Sequence, residues 1–281
     1  MRIGAHLRTR GGVLSAVEAA RETGAEAFQL FASNPRAWAG PRVEPVADEF
    51  RDRVAEAGLG PIFLHAPYLV NIASPNPLFH RRSVDLARAS MEAAEVLGGA
   101  GLVVHAGAGG PGEPAAGSGR AAAALREIAA EGSDAWVVVE LMAGSAGAVA
   151  STFAEARRLL DGAGGSGRMK LCVDTCHAFA SGYGLDTPSG VAETFADLRR
   201  SGLARRLVLV HANDAAFPLG SRRDRHANVG QGFIGPDGFA AVLGQPAVRR
   251  ATVLCETPGD RGQTAADVAL LKRLAARGVA A

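Results

Sequence analysis

Eight short runs dense in valine, isoleucine, leucine and phenylalanine recur along the chain: Arg2–His6, Ala27–Phe31, Ile62–His65, Leu102–His105, Trp136–Glu140, Lys170–Asp174, Leu207–His211 and Thr252–Glu256. Most are nearly continuous in apolar residues, the pattern of parallel strands covered on both faces. Between the runs the apolar period changes to three and four. Val84, Ala87, Met91 and Ala94 make one stripe on a helix predicted over Arg82–Gly98, with Gly98 able to end it. The same reading predicts helices over Val13–Thr23, 46–57, 120–131, 149–161, 191–200, 237–243 and Ala266–Ala276. Strand then helix, eight times over, requires right-handed crossovers and a parallel sheet. At this length the units close most naturally as a (β/α)8 TIM barrel, with a doubly wound open sheet as the structural alternative.

Composition narrows the picture without changing it. The chain has 281 residues, 48% of them hydrophobic, and no shift in composition, so a single barrel domain over residues 1–281 is expected. The glycine-rich segments Ala106–Gly119 and Gly162–Gly167 read as loops, because the strand–helix rhythm continues through both. The N-terminus carries no apolar targeting segment, and no apolar run approaches the roughly 20 residues a bilayer span needs. A cytoplasmic location without a membrane partner is therefore expected. Three cysteines, Cys172, Cys176 and Cys255, do not make a disulfide framework and read as reduced, packed residues. A net charge of +2 is too small by itself to announce a nucleic-acid partner.

The informative chemistry is positional. His65, His105, Glu140, Asp174, His211 and Glu256 each stand at the last position of a predicted strand. In a barrel those C-terminal strand ends form one ring at the active-site face, so residues far apart in sequence point into one cavity. A single His or Glu at a strand end is more often hydrogen-bonded to structure or solvated. Three imidazoles and three carboxylates together leave costly repulsion and unpaired polar groups unless a cation is bound. Imidazole and carboxylate without thiolate suit zinc, manganese or iron. Cys172-x3-Cys176 lacks a second pair and reads as packing. Two further clusters, Asp174-Thr175-Cys176-His177 and Asp224-Arg225-His226, read as loops after strands and add His177, Asp224 and His226. Nine candidate ligands exceed what two ions normally use.

Several segments carry a resemblance. DTCHAFASGYGLDTP (174–188) is the most specific, joined by IGAHLRTRGG (3–12), AFQLFASNPRAW (27–38), LHAPYLVNIASP (64–75), VHANDAAFPLGSRRDRHANVGQGFIG (210–235) and LCETP (254–258). Together they resemble the endonuclease IV family, DNA-repair enzymes that act at abasic sites. The resemblance implies a (β/α)8 barrel with three zinc ions, Mn2+ or Fe2+ substituting at some sites. By carry-over, His65, His105 and Glu140 hold one ion, and Glu140 bridges to a second held also by Asp174, His211 and Glu256. His177, Asp224 and His226 hold the third.

The implied reaction is hydrolysis of the phosphodiester 5′ to an abasic deoxyribose in duplex DNA, leaving a 3′-hydroxyl, with removal of blocked 3′ ends by related members. Glu256 would orient or deprotonate the attacking water, and Glu140 shares the catalytic assignment as the bridge. A site in a barrel mouth requires the abasic nucleotide to rotate outward. Arg36, Tyr68 and Leu69 match family positions that intrude into the DNA, while Arg225, with Arg222, Arg223, Arg81 and Arg82, is a candidate phosphate contact. His6 is expected to support a ligand rather than be one, and His80 to be peripheral. No protein partner is implied, and a monomer is expected.

The chain departs from the family pattern twice. Leu141 follows Glu140 where an Asn is usual, and Ala106-Gly107-Ala108-Gly109-Gly110 replaces a loop of the Pro-Gly-Ser-His type. Two competing readings stand beside the nuclease. A sugar isomerase or epimerase on a related barrel uses fewer ligands, which Asp224-Arg225-His226 opposes. A non-catalytic, metal-stabilised DNA-binding barrel has no need of Glu256.

Overall fold

In a computed structural model, which describes residues 1–110, 112, 114–129, 134–164 and 167–277, the chain closes into a barrel. The elements run β1 (Ile3–Leu7), α1 (Leu14–Thr23), β2 (Phe28–Leu30), α2 (Ala47–Glu56), β3 (Ile62–His65), α3 (Pro77–Val96), β4 (Gly101–His105), α4 (Pro114–Ala129) and β5 (Trp136–Glu140). They continue as α5 (Phe153–Gly162), β6 (Met169–Asp174), α6 (Thr175–Ser181), α7 (Pro188–Arg200), β7 (Leu207–His211), β8 (Asp214–Ala215), β9 (His226–Ala227), α8 (Gly235–Gly244), β10 (Thr252–Cys255) and α9 (Arg261–Arg277). The closed sheet is β1-β10-β7-β6-β5-β4-β3-β2, with every pairing parallel, so the (β/α)8 architecture stands and the open sheet does not. Among the described residues, no helix is long and apolar enough to cross a membrane.

Two layers follow from the period-two alternation of a strand. Ala27, Phe63, Val103, Val138, Cys172, Leu209 and Leu254 form one buried cluster that fills the barrel. The intervening residues, among them Phe28, Leu64, Val104, Val139, Leu171, Val210 and Val253, pack outward against the helices in a second, larger cluster. That double burial is why the strands read as almost unbroken apolar runs. On β1 the interior position is Gly4, where an added Cβ would lie 1.7 Å from the Ala27 carbonyl oxygen, so no side chain fits between β1 and β2.

The helices begin earlier or later than periodicity predicts. α3 starts at Pro77, because the Asn76 side chain accepts from the backbone N–H groups of Leu78 and Phe79 and Pro77 is preset for a first turn. α5 starts at Phe153 behind a Thr152–Glu155 capping box, not at 149. Residues 130 and 131 of the predicted 120–131 helix, and parts of both glycine-rich loops, lie outside the described residues. The structure corrects two loop readings: Pro114–Gly119 of the first glycine-rich segment is the start of α4 and Gly162 of the second still lies on α5, while Thr175–Ser181 is a helix, capped by the Asp174 side chain accepting from His177 N at 2.9 Å. The second supposed loop cluster is part strand, since His226 lies on β9, paired antiparallel with β8.

Candidate metal centre

Each interior residue of the barrel layer is followed, two positions on, by an inward residue at the mouth. Phe63, Val103, Val138, Cys172, Leu209 and Leu254 thus precede His65, His105, Glu140, Asp174, His211 and Glu256. Register then makes neighbours of them: His105 is opposite Glu140, and Asp174 is opposite His211. The two remaining strands contribute His6 and Gln29, themselves opposite each other.

Glu140 is the hub, with no solvent exposure. Its Oε2 lies 3.1 Å from His65 Nε2 and 3.1 Å from His105 Nε2, while its Oε1 lies 3.2 Å from the Nδ1 atoms of both His177 and His211. His211 Nδ1 is also 3.2 Å from Glu256 Oε2 and 3.9 Å from Asp174 Oδ2. Asp224 Oδ1 lies 3.2 Å from His177 Nε2 and 3.4 Å from His226 Nε2. Donor atoms within 4.8 Å of one another form the sets His65-His105-Glu140, Glu140-Asp174-His211-Glu256 and Asp174-His177-His226. The first two share Glu140, and the last two share Asp174. A fourth set, Cys176-Asp224-His226, is less suited to a metal. Burial pushes the Cys176 thiol up to about 12, and its Sγ donates to the Arg225 carbonyl at 3.5 Å.

The ring tautomers favour metal as well. His65 Nδ1 is 2.7 Å from the Ala66 carbonyl, His177 Nδ1 is 2.9 Å from that of Leu141, and His226 Nδ1 is 3.2 Å from that of Glu256. A carbonyl can only accept, so each Nδ1 donates there, and each Nε2, turned toward the carboxylates, is the nitrogen that can give way to a metal. The Nε2 atoms of His177 and His226 are buried without a hydrogen-bond partner, a costly arrangement that a cation would relieve. The donor set fits zinc or a similar borderline ion.

Electrostatics agree. Burial alone would raise the Glu140 carboxyl, yet the imidazoles of His105 and His211 hold it well below the usual range. Burial opposes charge on His177 and His211, but both are raised: the first by the carboxylates of Asp174, Asp224 and Glu140, the second by the Cys172 side chain with the carboxylates of Glu256 and Glu140. Glu256 is held low against burial by His211 and His6. His177 and His211 therefore keep protons in the metal-free chain above the ordinary imidazole value, and a metal must displace them. Adding zinc to metal-free protein at pH 7 in weak buffer should release about one proton or more per chain. Zinc affinity should rise as pH climbs through the raised imidazole range, and loading with no acidification would contradict this protonation pattern.

Both segments that depart from the family pattern have a defined backbone. Leu141 is buried, and it is its carbonyl that orients His177. Across the glycine loop, Asn71 accepts from Ala108 N and donates to Ala108 O, both at 3.0 Å, while Arg120 donates to the carbonyls of Ala73 and Gly109. A Cβ at Gly107 would sit 2.2 Å from Asn71 Oδ1, so this latch needs glycine there.

At the rim, Tyr68 is 62% exposed and meets Phe31 edge-on at 5.0 Å, while Phe31 in turn contacts His65 and His6. Arg36 is exposed and close enough to oppose the burial-driven rise of the Tyr68 hydroxyl, and Leu69 is half-buried beside it. Arg225 is exposed between Asp224 and His226, and Arg223 lies over the Phe217 ring at 3.7 Å. Arg81 does not face the mouth: it is held by Asp85 and Glu127. Arg82 lies over Trp38. Two site residues escaped the sequence reading. Asn213 donates to Asp174 Oδ2 at 2.6 Å and accepts from Glu256 N at 2.6 Å. Gln29 contacts both Glu256 and His211. The only signal for Gln29 was its inward parity on β2.

Comparison with known proteins places this geometry. A family described as a xylose isomerase-like TIM barrel matches residues 17–274. A probable endonuclease 4 of Methanoculleus marisnigri is 38% identical over 97% of this chain and 98% of its own length. The chain belongs to the endonuclease IV family. The crystal structure of endonuclease IV from Thermus thermophilus superposes with a TM-score of 0.86 at 33% identity, covering 98% of each chain. A 3-keto-D-glucoside 4-epimerase from E. coli shares the fold alone, with a TM-score of 0.71 at 18% identity, covering 97% of this chain and 99% of that one. Membership makes the chain a nuclease-type enzyme and leaves the sugar epimerases as relatives in architecture.

Proposed function

We propose that this member of the endonuclease IV family is a zinc-dependent endonuclease that hydrolyses the phosphodiester 5′ to an abasic site in duplex DNA, leaving a 3′-hydroxyl, and that it also removes 3′ blocking groups. The observation that carries the reading is the chain of shared carboxylates, Glu140 and Asp174, linking three donor sets in one barrel mouth. When bound, the ions would supply polarisation of the phosphate and acidification of water.

The residues themselves do the positioning. His65 and His105 meet one oxygen of Glu140, His211 meets the other, and Asp174, His177 and His226 form the third set, with Asp224 against both of its imidazoles. Glu256, ionised and only partly exposed, is the group placed to orient a water and take its proton. It is held by His6 Nδ1 at 2.8 Å, by Gln29 Nε2 at 2.6 Å and through its own N–H by Asn213. Five of the exposed large apolar side chains, Tyr68, Leu78, Phe79, Leu219 and Phe233, follow strand C-termini or open helices, the side of the barrel that carries the site. Together with Arg36, Leu69 and Arg225 they make a face suited to a phosphate backbone and an unstacked lesion.

Elemental analysis should return about three ions per chain, and the protein should nick a duplex bearing one abasic analogue while sparing the undamaged duplex. A single ion per chain, with the abasic duplex intact, would sink the reading. Tyr68→Ala should raise KM for that duplex about tenfold while leaving metal content unchanged, since base–aromatic contacts of this kind contribute about 1–3 kcal/mol. An unchanged KM would remove Tyr68 from the DNA face.

A further inference from the structure

Gln29 touches the centre on two sides while belonging to none of its donor sets. It is fully buried on β2. Its Nε2 donates to Glu256 Oε1 at 2.6 Å, and its Oε1 faces His211 Nε2 at 3.1 Å. The direction of a glutamine amide is normally settled only by its partners. Here they settle it. A carboxylate only accepts, so the NH2 end must face Glu256, which leaves Oε1 toward His211. Oε1 also only accepts, so the proton of His211 must sit on Nε2. Without metal, Nδ1 also carries a proton toward Glu140 Oε1 at 3.2 Å, so Nδ1 is the nitrogen a metal can take, in the space between Glu140, Glu256 and Asp174.

This is the reverse of the neighbouring rings. His65, His177 and His226 each give Nδ1–H to a backbone carbonyl and present Nε2. The backbone fixes those three tautomers wherever the fold forms, whereas His211 depends on a side chain from another strand. His6 completes the arrangement, its Nδ1 lying 2.8 Å from Glu256 Oε1 and 2.9 Å from Gln29 Nε2, so the same carboxylate oxygen is steadied from two sides.

We infer that Gln29 is a positioning residue that couples the orientation of Glu256 to the tautomer of His211, so that His211 presents Nδ1 to the ion it shares with Glu140, Asp174 and Glu256. The inference rests on the metal-centre reading above. Partners that orient a metal-binding imidazole typically change affinity or activity by about 10- to 100-fold when removed. A packing role alone would change neither.

The test uses the zinc-loaded full chain and two variants. Gln29→Met keeps length and apolar packing and removes both hydrogen bonds. Gln29→Glu keeps an acceptor for His211 Nε2–H. Zinc loss to a chelator, the 15N shifts of the His211 ring and the KM–kcat split on the abasic duplex are measured. The wild type should show a protonated Nε2 and a zinc-bound Nδ1 at His211. Gln29→Met should lose one zinc about 10- to 100-fold faster, with kcat reduced, KM nearly unchanged and a mixed His211 tautomer. Gln29→Glu should retain the Nε2–H tautomer, and it decides the matter if Gln29→Met does not fold. Wild-type zinc retention in Gln29→Met, or loss of the Nε2–H tautomer in Gln29→Glu, overturns this inference alone. A wild type that holds no zinc overturns it together with the metal centre.

Discussion

Glu256→Gln is expected to lower the nicking rate on an abasic duplex by about 10²- to 10⁴-fold, the range for removing a general base, which corresponds to about 3–5 kcal/mol of barrier. The substitution conserves volume, and the side chain is 16% exposed, so the fold should survive. What changes is the proton inventory. Glu256 Oε1 now accepts from Gln29 and His6, and an amide at 256 cannot accept a proton from water at all. KM should move little, because Tyr68 and Arg36 are untouched, and metal content should fall by at most about one ion. A variant within tenfold of wild type at full metal content would show that Glu256 is not the base.

Glu140→Gln is expected to act on the whole centre. Four imidazole nitrogens lie 3.1–3.2 Å from its two oxygens, and it belongs to two of the donor sets. In the metal-free chain, removing its charge leaves protonated His177 and His211 buried beside a neutral amide, and breaking a buried pair of this kind costs about 3–5 kcal/mol. For a chain of this size that is a fall in Tm of roughly 10 °C or more. Metal content should drop from about three ions to about one, held by the Asp174, His177 and His226 side of the mouth. Elemental analysis and thermal unfolding check both parts. Full metal content with an unchanged Tm would mean that Glu140 is not the bridge.

These two carboxylates illustrate what a linear reading can reach. Both stand at the ends of apolar runs, and a barrel turns every strand end toward one axis, so Glu140 and Glu256 could be placed in one cavity before any coordinates. The same logic located His65, His105, Asp174 and His211. It was less able with His177 and His226. Nothing in the periodicity of Asp174-Thr175-Cys176-His177 distinguishes a loop from a short capped helix, because the cap is made by the same Asp174 side chain that faces the centre. His226 sits on a two-residue strand, too short to leave a pattern.

Helix starts were misplaced for a related reason. Asn76-Pro77 and Thr152-x-x-Glu155 are local hydrogen-bonding signals that set where a helix begins, and a reading of the apolar stripe alone misses them by a turn or so. The two departures from the family pattern change side chains and leave a held backbone. The Leu141 carbonyl orients His177 beside the position where an Asn is usual, and the glycine loop is held by Asn71 and Arg120.

The order of residues by itself determined the barrel and the ring of strand-end acids and histidines, because burial on both faces writes continuous apolar runs and alternation dictates which residue points inward. Only the tertiary structure decided how those residues meet. Which oxygen of Glu140 serves which imidazole, which ring nitrogen keeps its proton, and that a glutamine on β2 joins Glu256 to His211 all depend on distances between strands and on hydrogen-bond direction. Those are set when the barrel closes, since the groups concerned lie as much as 227 residues apart along the chain.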